Sequence, residues 1–328
     1  MTDDSVSSRR AILRRVARLG GLGVGAAGVG VWLSSRSRRP EDKAPAVVKR
    51  DVRVPRDPSL PEMAVIEGGA PAQLVRRAIE ELGGMRRFVS RGDVVVVKPN
   101  MAWDRTPEQA ANTNPEAVAE VVRLALAAGA RKVRVADVPI SEARRAFERS
   151  GIASAARAAG AEVLLPGEAD FREVDLGGDV LRAWPVFAPF LDADKVINMP
   201  VAKHHTLTGA TLGIKNWYGL LGGPRHRLHQ RIHESLADLA AFLRPTLTIV
   251  DAYRVLLRNG PSGGSLEDVA LKKTMIAGTD PVAVDAYATR AFWEAAPLPQ
   301  YLDLAAQRGL GALDLPDSHQ VHRFLTLG

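Results

Sequence analysis

Four consecutive valines, Val94–Val97, stand between Asp93 and Lys98 with no polar interruption. A run apolar at both alternating sets of positions predicts a strand covered on both faces, as in the interior of a parallel sheet. Around it, short apolar runs alternate with helical periodicity. Met63–Glu67 predicts a strand and Pro71–Leu82 a helix. Asn114-Pro115-Glu116 supplies a cap, a proline at the first helical position and an acid behind it, so a helix is expected to Ala128, ended by Gly129. Further strands are predicted at Lys132–Asp137, Glu162–Leu165, Lys195–Met199, Thr246–Asp251 and Leu271–Ala277. Helical stretches are predicted at Ser141–Ala159, broken at Gly151, and at 208–221 and 229–243, separated by Gly222-Gly223-Pro224. Two more run from Pro281, capped by Asp280, to near Glu294, and over 299–309. Residues 171–187 read as irregular or antiparallel strands. This rhythm predicts an α/β fold: a mainly parallel, doubly wound sheet with helices on both faces and an irregular insertion.

The periodic pattern covers 61–328, read as one α/β domain. Residues 41–60, rich in Arg, Pro and charge, read as a linker. Residues 1–40 differ in kind. Ser8-Arg9-Arg10-Ala11-Ile12-Leu13-Arg14 resembles a twin-arginine export signal, and a Gly-rich apolar run follows over Leu19–Leu33. That run falls short of the roughly 20 residues of a spanning helix. No Ala-x-Ala closes it, and Arg36, Arg38 and Arg39 follow, so a retained membrane tether through 19–33 is expected beside cleavage. The expected partner is the twin-arginine translocation machinery, and the expected location is periplasmic or membrane-anchored facing outward.

Charge follows the same division. The net +7 of the chain is concentrated in residues 1–40, which hold eight Arg and two Asp; the remaining residues carry 36 basic and 35 acidic side chains. A nearly neutral body with 5% aromatic residues argues against nucleic acid as a partner. The chain has no cysteine, which excludes disulfides, a thiolate nucleophile and a Cys-ligated Fe–S cluster.

Polar chemistry gathers at predicted strand ends, where open α/β sheets bind ligands. Lys98-Pro99-Asn100 ends the valine strand. Five of the seven histidines lie between His204 and His233. Lys203, His204 and His205 are expected in a loop after Pro200, with Lys215 and Asn216 about three helical turns on. Gly209, Gly213, Gly219, Gly222 and Gly223 crowd the same run, at a cost of about 1 kcal/mol each in a helix, which close backbone approach to a ligand would explain. His229 and His233 are spaced for one helix face, but Gln230 stands where a zincin needs Glu. Arg225, Arg227 and Arg231 disfavour a dication there and suit an anion. Asp137, Asp251, Asp280 and Asp285 lie near strand ends or helix starts.

The expected catalytic residues are Lys203, His205, Lys215 and Asp251. Those expected to bind ligand are Lys98, Asn100, Asn114, Asn216, Gly260 and Asp280. A metal, if held, is expected on His205, Asp251 and Asp285; a metal or an organic cofactor suits an exported folded cargo. The resulting expectation is an exported cofactor- or metal-dependent enzyme acting on a small anionic ligand by acid–base or redox chemistry. The alternative is a non-catalytic exported binding protein, or a maturation factor for a periplasmic redox enzyme.

The ordered set of these residues resembles the domain of unknown function 362 family. It is carried by Lys98-Pro99-Asn100, Thr113-Asn114-Pro115, Gly129-Ala130 before Val133–Asp137, and Asn198-Met-Pro-Val-Ala-Lys203-x-His205. Thr211-x-Gly213-x-Lys215-Asn216, Asp251, Gly260-Pro261 and Asp280-Pro-Val-Ala-Val-Asp285 complete it, over roughly 63–295. The resemblance implies an α/β domain and no single established activity. Many members append a ferredoxin-like, Cys-rich module, which this Cys-free chain lacks. The amino-terminal part of the nickel-dependent lactate racemase family is similar more distantly.

Overall fold

The computed structural model describes residues 51–325. The expected export signal, the expected tether and the first ten residues of the expected linker lie outside them. Twelve strands follow in chain order: β1 (Met63–Glu67), β2 (Val94–Pro99), β3 (Lys132–Ala136), β4 (Glu162–Leu164), β5 (Phe171–Asp175), β6 (Ala183–Phe187), β7 (Lys195–Met199), β8 (Val201–His205), β9 (Gly209–Thr211), β10 (Leu247–Leu256), β11 (Val269–Gly278) and β12 (Gln320–Phe324). Ten form one sheet, in the order β12-β1-β11-β10-β7-β2-β3-β4, with β8 beside β10 and β9 beside β8. β5 and β6 make a separate antiparallel pair, the irregular insertion expected at 171–187.

β2 sits between β3 and β7, parallel to both. Its four valines divide by the two-residue period of a strand: Val95 and Val97 enter one core, Val96 the other. On the first face, Leu74, Val118, Val122 and Phe147 pack from the helices Pro71–Glu81, Pro115–Ala128 and Ala143–Arg149. On the second, Leu236, Val282 and Tyr301 pack from the helices Ile232–Phe242, Pro281–Phe292 and Gln300–Gln307. The half of the sheet from β10 to β4 is parallel. Beyond it β11 runs antiparallel to both β10 and β1.

Two local expectations change. Lys203–His205 belongs to a strand rather than a loop. β7 passes into β8 through Pro200, whose carbonyl accepts from Asp251 N at 2.8 Å, so the chain stays in the sheet beside β10. The helix expected over 208–221 is instead β9, a single helical turn at Gly213–Asn216 and a 3-10 turn at Trp217–Leu220. Its glycines remove helix propensity, and side chains from elsewhere seize its backbone, as the site shows. The described part of the linker is also not free: Val52 is buried in the second core.

Thr246 ties that segment down. Its hydroxyl donates to the Val52 carbonyl at 2.5 Å and accepts from Val196 N at 3.0 Å. Thr246→Val leaves both backbone groups short of a partner. It is expected to destabilise the fold by about 1–3 kcal/mol, seen as a lower denaturation midpoint with an unchanged slope.

Candidate functional site

The site lies at the carboxyl ends of β2, β3 and β7, with β8 and the Gly213–Leu220 turns closing over it. Lys98, near the end of β2, is 1% exposed. Its ammonium meets Asp137 Oδ1 at 2.7 Å, Asn216 Oδ1 at 2.9 Å and the Pro99 carbonyl at 3.0 Å, which uses all three donors. Burial lowers the Lys98 pKa and Asp137 opposes that shift. Asp137 also accepts from the backbone N–H groups of Met101 and Val138 at 2.7 and 3.0 Å. Gly219 rests directly on this pair: a Cβ there would overlap the Asp137 carboxylate and crowd Lys98 Nζ at 2.5 Å.

Three amides carry the network onward. Asn216 Oδ1 accepts from Asn100 Nδ2 at 3.0 Å as well as from Lys98, while Asn216 Nδ2 donates to Asn198 Oδ1 at 2.8 Å. Asn100 Oδ1 then accepts from Lys203 Nζ at 3.0 Å, and Lys203 also donates to the Ala111 carbonyl at 2.5 Å. Both acceptors of Lys203 are neutral. Burial, reinforced by Lys215, therefore holds its pKa well below the usual lysine range.

Lys215 is different again. It is 7% exposed, and its ammonium makes no hydrogen bond or ion pair with any described residue. Its Nζ lies 4.8 Å from the centre of the Tyr218 ring, a weak cation–π contact. Burial lowers its pKa from 10.5 to about 7. The Tyr218 hydroxyl is buried without a partner among the described residues, and burial raises its pKa. His205 Nδ1 accepts from Leu207 N at 3.1 Å, which assigns the ring hydrogen to Nε2. Burial, then Lys215 and Lys203, lower its pKa to about 2, so the imidazole stays neutral. His229 meets the Tyr218 ring edge-on, centroids 5.8 Å apart.

Lys98, Asn100, Lys203, His205, Lys215 and Asn216 all line one cavity of about 310 Å³. Asp137, Tyr218, Arg225 and His229 line it too. Sequence had marked Asp137 as a strand-end carboxylate and Arg225 as suited to an anion. Tyr218 went unnoticed, although its place three residues after Lys215 puts the two on one side of a helical turn. Against three lysines and an arginine, the wall carries a single carboxylate, already shared with Lys98.

The other expected site residues lie elsewhere. Asp251 accepts from Asn114 N at 2.6 Å and Tyr253 N at 3.0 Å, and Asn114 caps its own helix through Glu116 N. Asp285 accepts from Gly213 N at 2.7 Å and Ile214 N at 2.9 Å, fixing the turn that carries Lys215. Burial raises Asp251 to about 6 and Asp285 to about 7. Asp280 caps the Pro281 helix through Val282 and Ala283. Gly260 packs against the His204 carbonyl, and it is Pro261 that reaches the cavity. The metal expected on His205, Asp251 and Asp285 is therefore corrected: both carboxylates are turned to backbone N–H groups. Among the described residues no group of three or more His, Asp or Glu is arranged to hold an ion. His233 does not join His229 at the cavity; it stacks on Tyr301, centroids 6.2 Å apart.

The lysine-lined cavity lies at the carboxyl edge of the mainly parallel sheet of an α/β protein. The chain belongs to the family described as a domain of unknown function (DUF362), whose signature matches residues 95–290. A thylakoid-associated protein of Synechocystis sp. is 29% identical over 229 residues, covering 67% of this chain and 69% of that protein. Two solved structures are similar in part. The lactate racemase apoprotein of Thermoanaerobacterium thermosaccharolyticum matches with TM-score 0.40 and 12% identity, over 71% of this chain and 56% of that one. A Thermotoga maritima protein matches with TM-score 0.33 and 13% identity, over 72% of this chain and 58% of that one. This chain thus spans little more than half of either structure, and both backbones diverge too far to inform the site.

Two substitutions test the electrostatics. Asp137→Asn removes the countercharge of a buried ammonium and is expected to cost about 3–5 kcal/mol of stability. Lys215→Met should do the reverse. The unfolded lysine holds its proton up to 10.5 and the folded one only to about 7. The burial penalty is thus fully present below pH 7 and is relieved as pH rises from 7 to 10.5. The variant should be more stable than the parent at pH 6–7, with the gain vanishing toward pH 10.5 in denaturant titrations.

Proposed function

We propose that this protein is an exported enzyme that binds a small anionic substrate, or an anionic organic cofactor, in the Lys98–Lys203–Lys215 cavity. The observation that carries this reading is the convergence of three buried lysines on one cavity with one carboxylate among them. Buried cations without countercharges are costly, and an anion that enters supplies the missing charge. Lys98 is already neutralised by Asp137, so its part is to hold Asn216 and the cavity floor. Lys203 has two of its three donors committed and one left for a ligand. Lys215 has all three. His205, neutral with its hydrogen on Nε2, offers a donor that needs no protonation.

Lys215 also provides the chemistry. An amine poised near neutral pH takes up or releases a proton at little cost, as a general acid or base requires. Acid–base turnover on a carboxylate- or phosphate-bearing molecule is the reaction class this set of residues serves. The twin-arginine-like N-terminus and the thylakoid association of the Synechocystis relative support an exported or membrane-facing setting, with the translocation machinery as partner.

The test is thermal unfolding in inorganic phosphate, pyrophosphate or malonate against chloride at equal ionic strength. At least one of the three should raise the midpoint at pH 6, with about 2.7 kcal/mol expected at a hundredfold excess over Kd. Lys203→Met and Lys215→Met should each lose the effect. Because the free Lys215 deprotonates near pH 7, affinity should weaken by about tenfold per pH unit above that point. No protection by any of the three at pH 6 would sink the reading.

A further inference from the structure

The three lysines of the cavity are not equivalent. Lys98 is locked in an ion pair and two hydrogen bonds. Lys203 is held by Asn100 and Ala111. Lys215 alone presents an amine with no hydrogen bond or ion pair to any described residue, inside the cavity and against an aromatic face. Lysine amines placed in a water-poor site beside other cations are the ones that act as nucleophiles. A group meant only to hold an anion does not need to be kept free of every acceptor.

We propose that Lys215 is a nucleophile that forms an imine with a small oxo acid whose carboxylate is held by Lys203 and His205. This rests on the anion-binding reading and names its substrate class. The Lys215 nitrogen lone pair attacks the carbonyl carbon, and the π pair moves to oxygen, which takes a proton. Nitrogen then gives up a proton, the hydroxyl leaves as water after protonation, C=N forms as the protonated imine, and nitrogen releases its second proton to leave the imine. One primary amine and one carbonyl become one imine and one water, with no oxidant or reductant. The Tyr218 hydroxyl, buried on the cavity wall and without a partner among the described residues, is kept in its protonated form by burial and is a donor for the departing water. Once protonated, the imine draws electrons from the neighbouring carbon, which prepares that carbon for proton exchange or bond cleavage. The cavity volume of about 310 Å³ suits a ligand at the small end of the usual range.

The experiment is reductive trapping on the full chain. Protein is incubated with pyruvate or with 2-oxoglutarate, reduced with sodium borohydride, and examined by intact mass and peptide mapping; lactate is the control without a carbonyl. The expected result is one adduct per chain, on Lys215, saturating with oxo acid, absent with lactate and suppressed by malonate. Its formation should be half-maximal near pH 7, whereas exposed lysines should respond only toward pH 10. Lys215→Arg and Lys215→Met should both lose the adduct, and retained thermal unfolding shows that they fold. No adduct on Lys215 with either oxo acid, in protein that phosphate, pyrophosphate or malonate still protects against heat, overturns the imine and spares the anion site. Adducts scattered over exposed lysines overturn it equally. Neither adduct nor protection overturns both readings.

Discussion

The Lys98–Asp137 pair is the contact on which the site depends. It joins the end of β2 to the end of β3, and it is buried on both sides. An ammonium in such a place is tolerable only when every donor is met, and here Asp137, Asn216 and Pro99 meet them. Asn216 is thereby drawn in from the turn that closes the cavity. That in turn orients Asn100 and Asn198, and through Asn100 places Lys203. Gly219 completes the arrangement by leaving no side chain where the pair must sit. Geometry passes from one ion pair through a run of amides to the amine of Lys203.

The cavity carries a cost in stability. Lys203 and Lys215 have depressed pKa values because burial disfavours their charge, and Lys215 adds to the cost at Lys203. A fold selected for stability alone would place apolar side chains at these positions. The surrounding sheet bears the cost, with valines of β2 feeding two separate cores.

Much of this was legible in the sequence. The valine run marked the centre of the sheet, and Asn114 and Asp280 announced the helix starts they cap. The lysine, asparagine and histidine positions that converge were all conspicuous as polar residues at strand ends. What failed was the division of labour among the acids. Asp251 and Asp285 lie where catalytic carboxylates often lie, but local sequence does not show that a backbone 137 or 72 residues away takes their oxygens. The helix expected over 208–221 failed for the same reason. Its residues suit a helix by pattern, yet the capture of Gly213 and Ile214 by Asp285 and the seat of Gly219 on Asp137 are long-range contacts. Tyr218 was overlooked because an aromatic residue in an apolar run reads as core.

Asp285 has a consequence for the architecture as a whole. It reaches from the helix Pro281–Phe292 to hold the turn that carries Lys215. The lysines, asparagines and histidines of the cavity all precede residue 230. A chain ending shortly before Asp285 would contain every one of those side chains and still lack the carboxylate that sets their stage. The site is therefore written early in the chain and assembled late, and during synthesis it can close only after Asp285 has emerged.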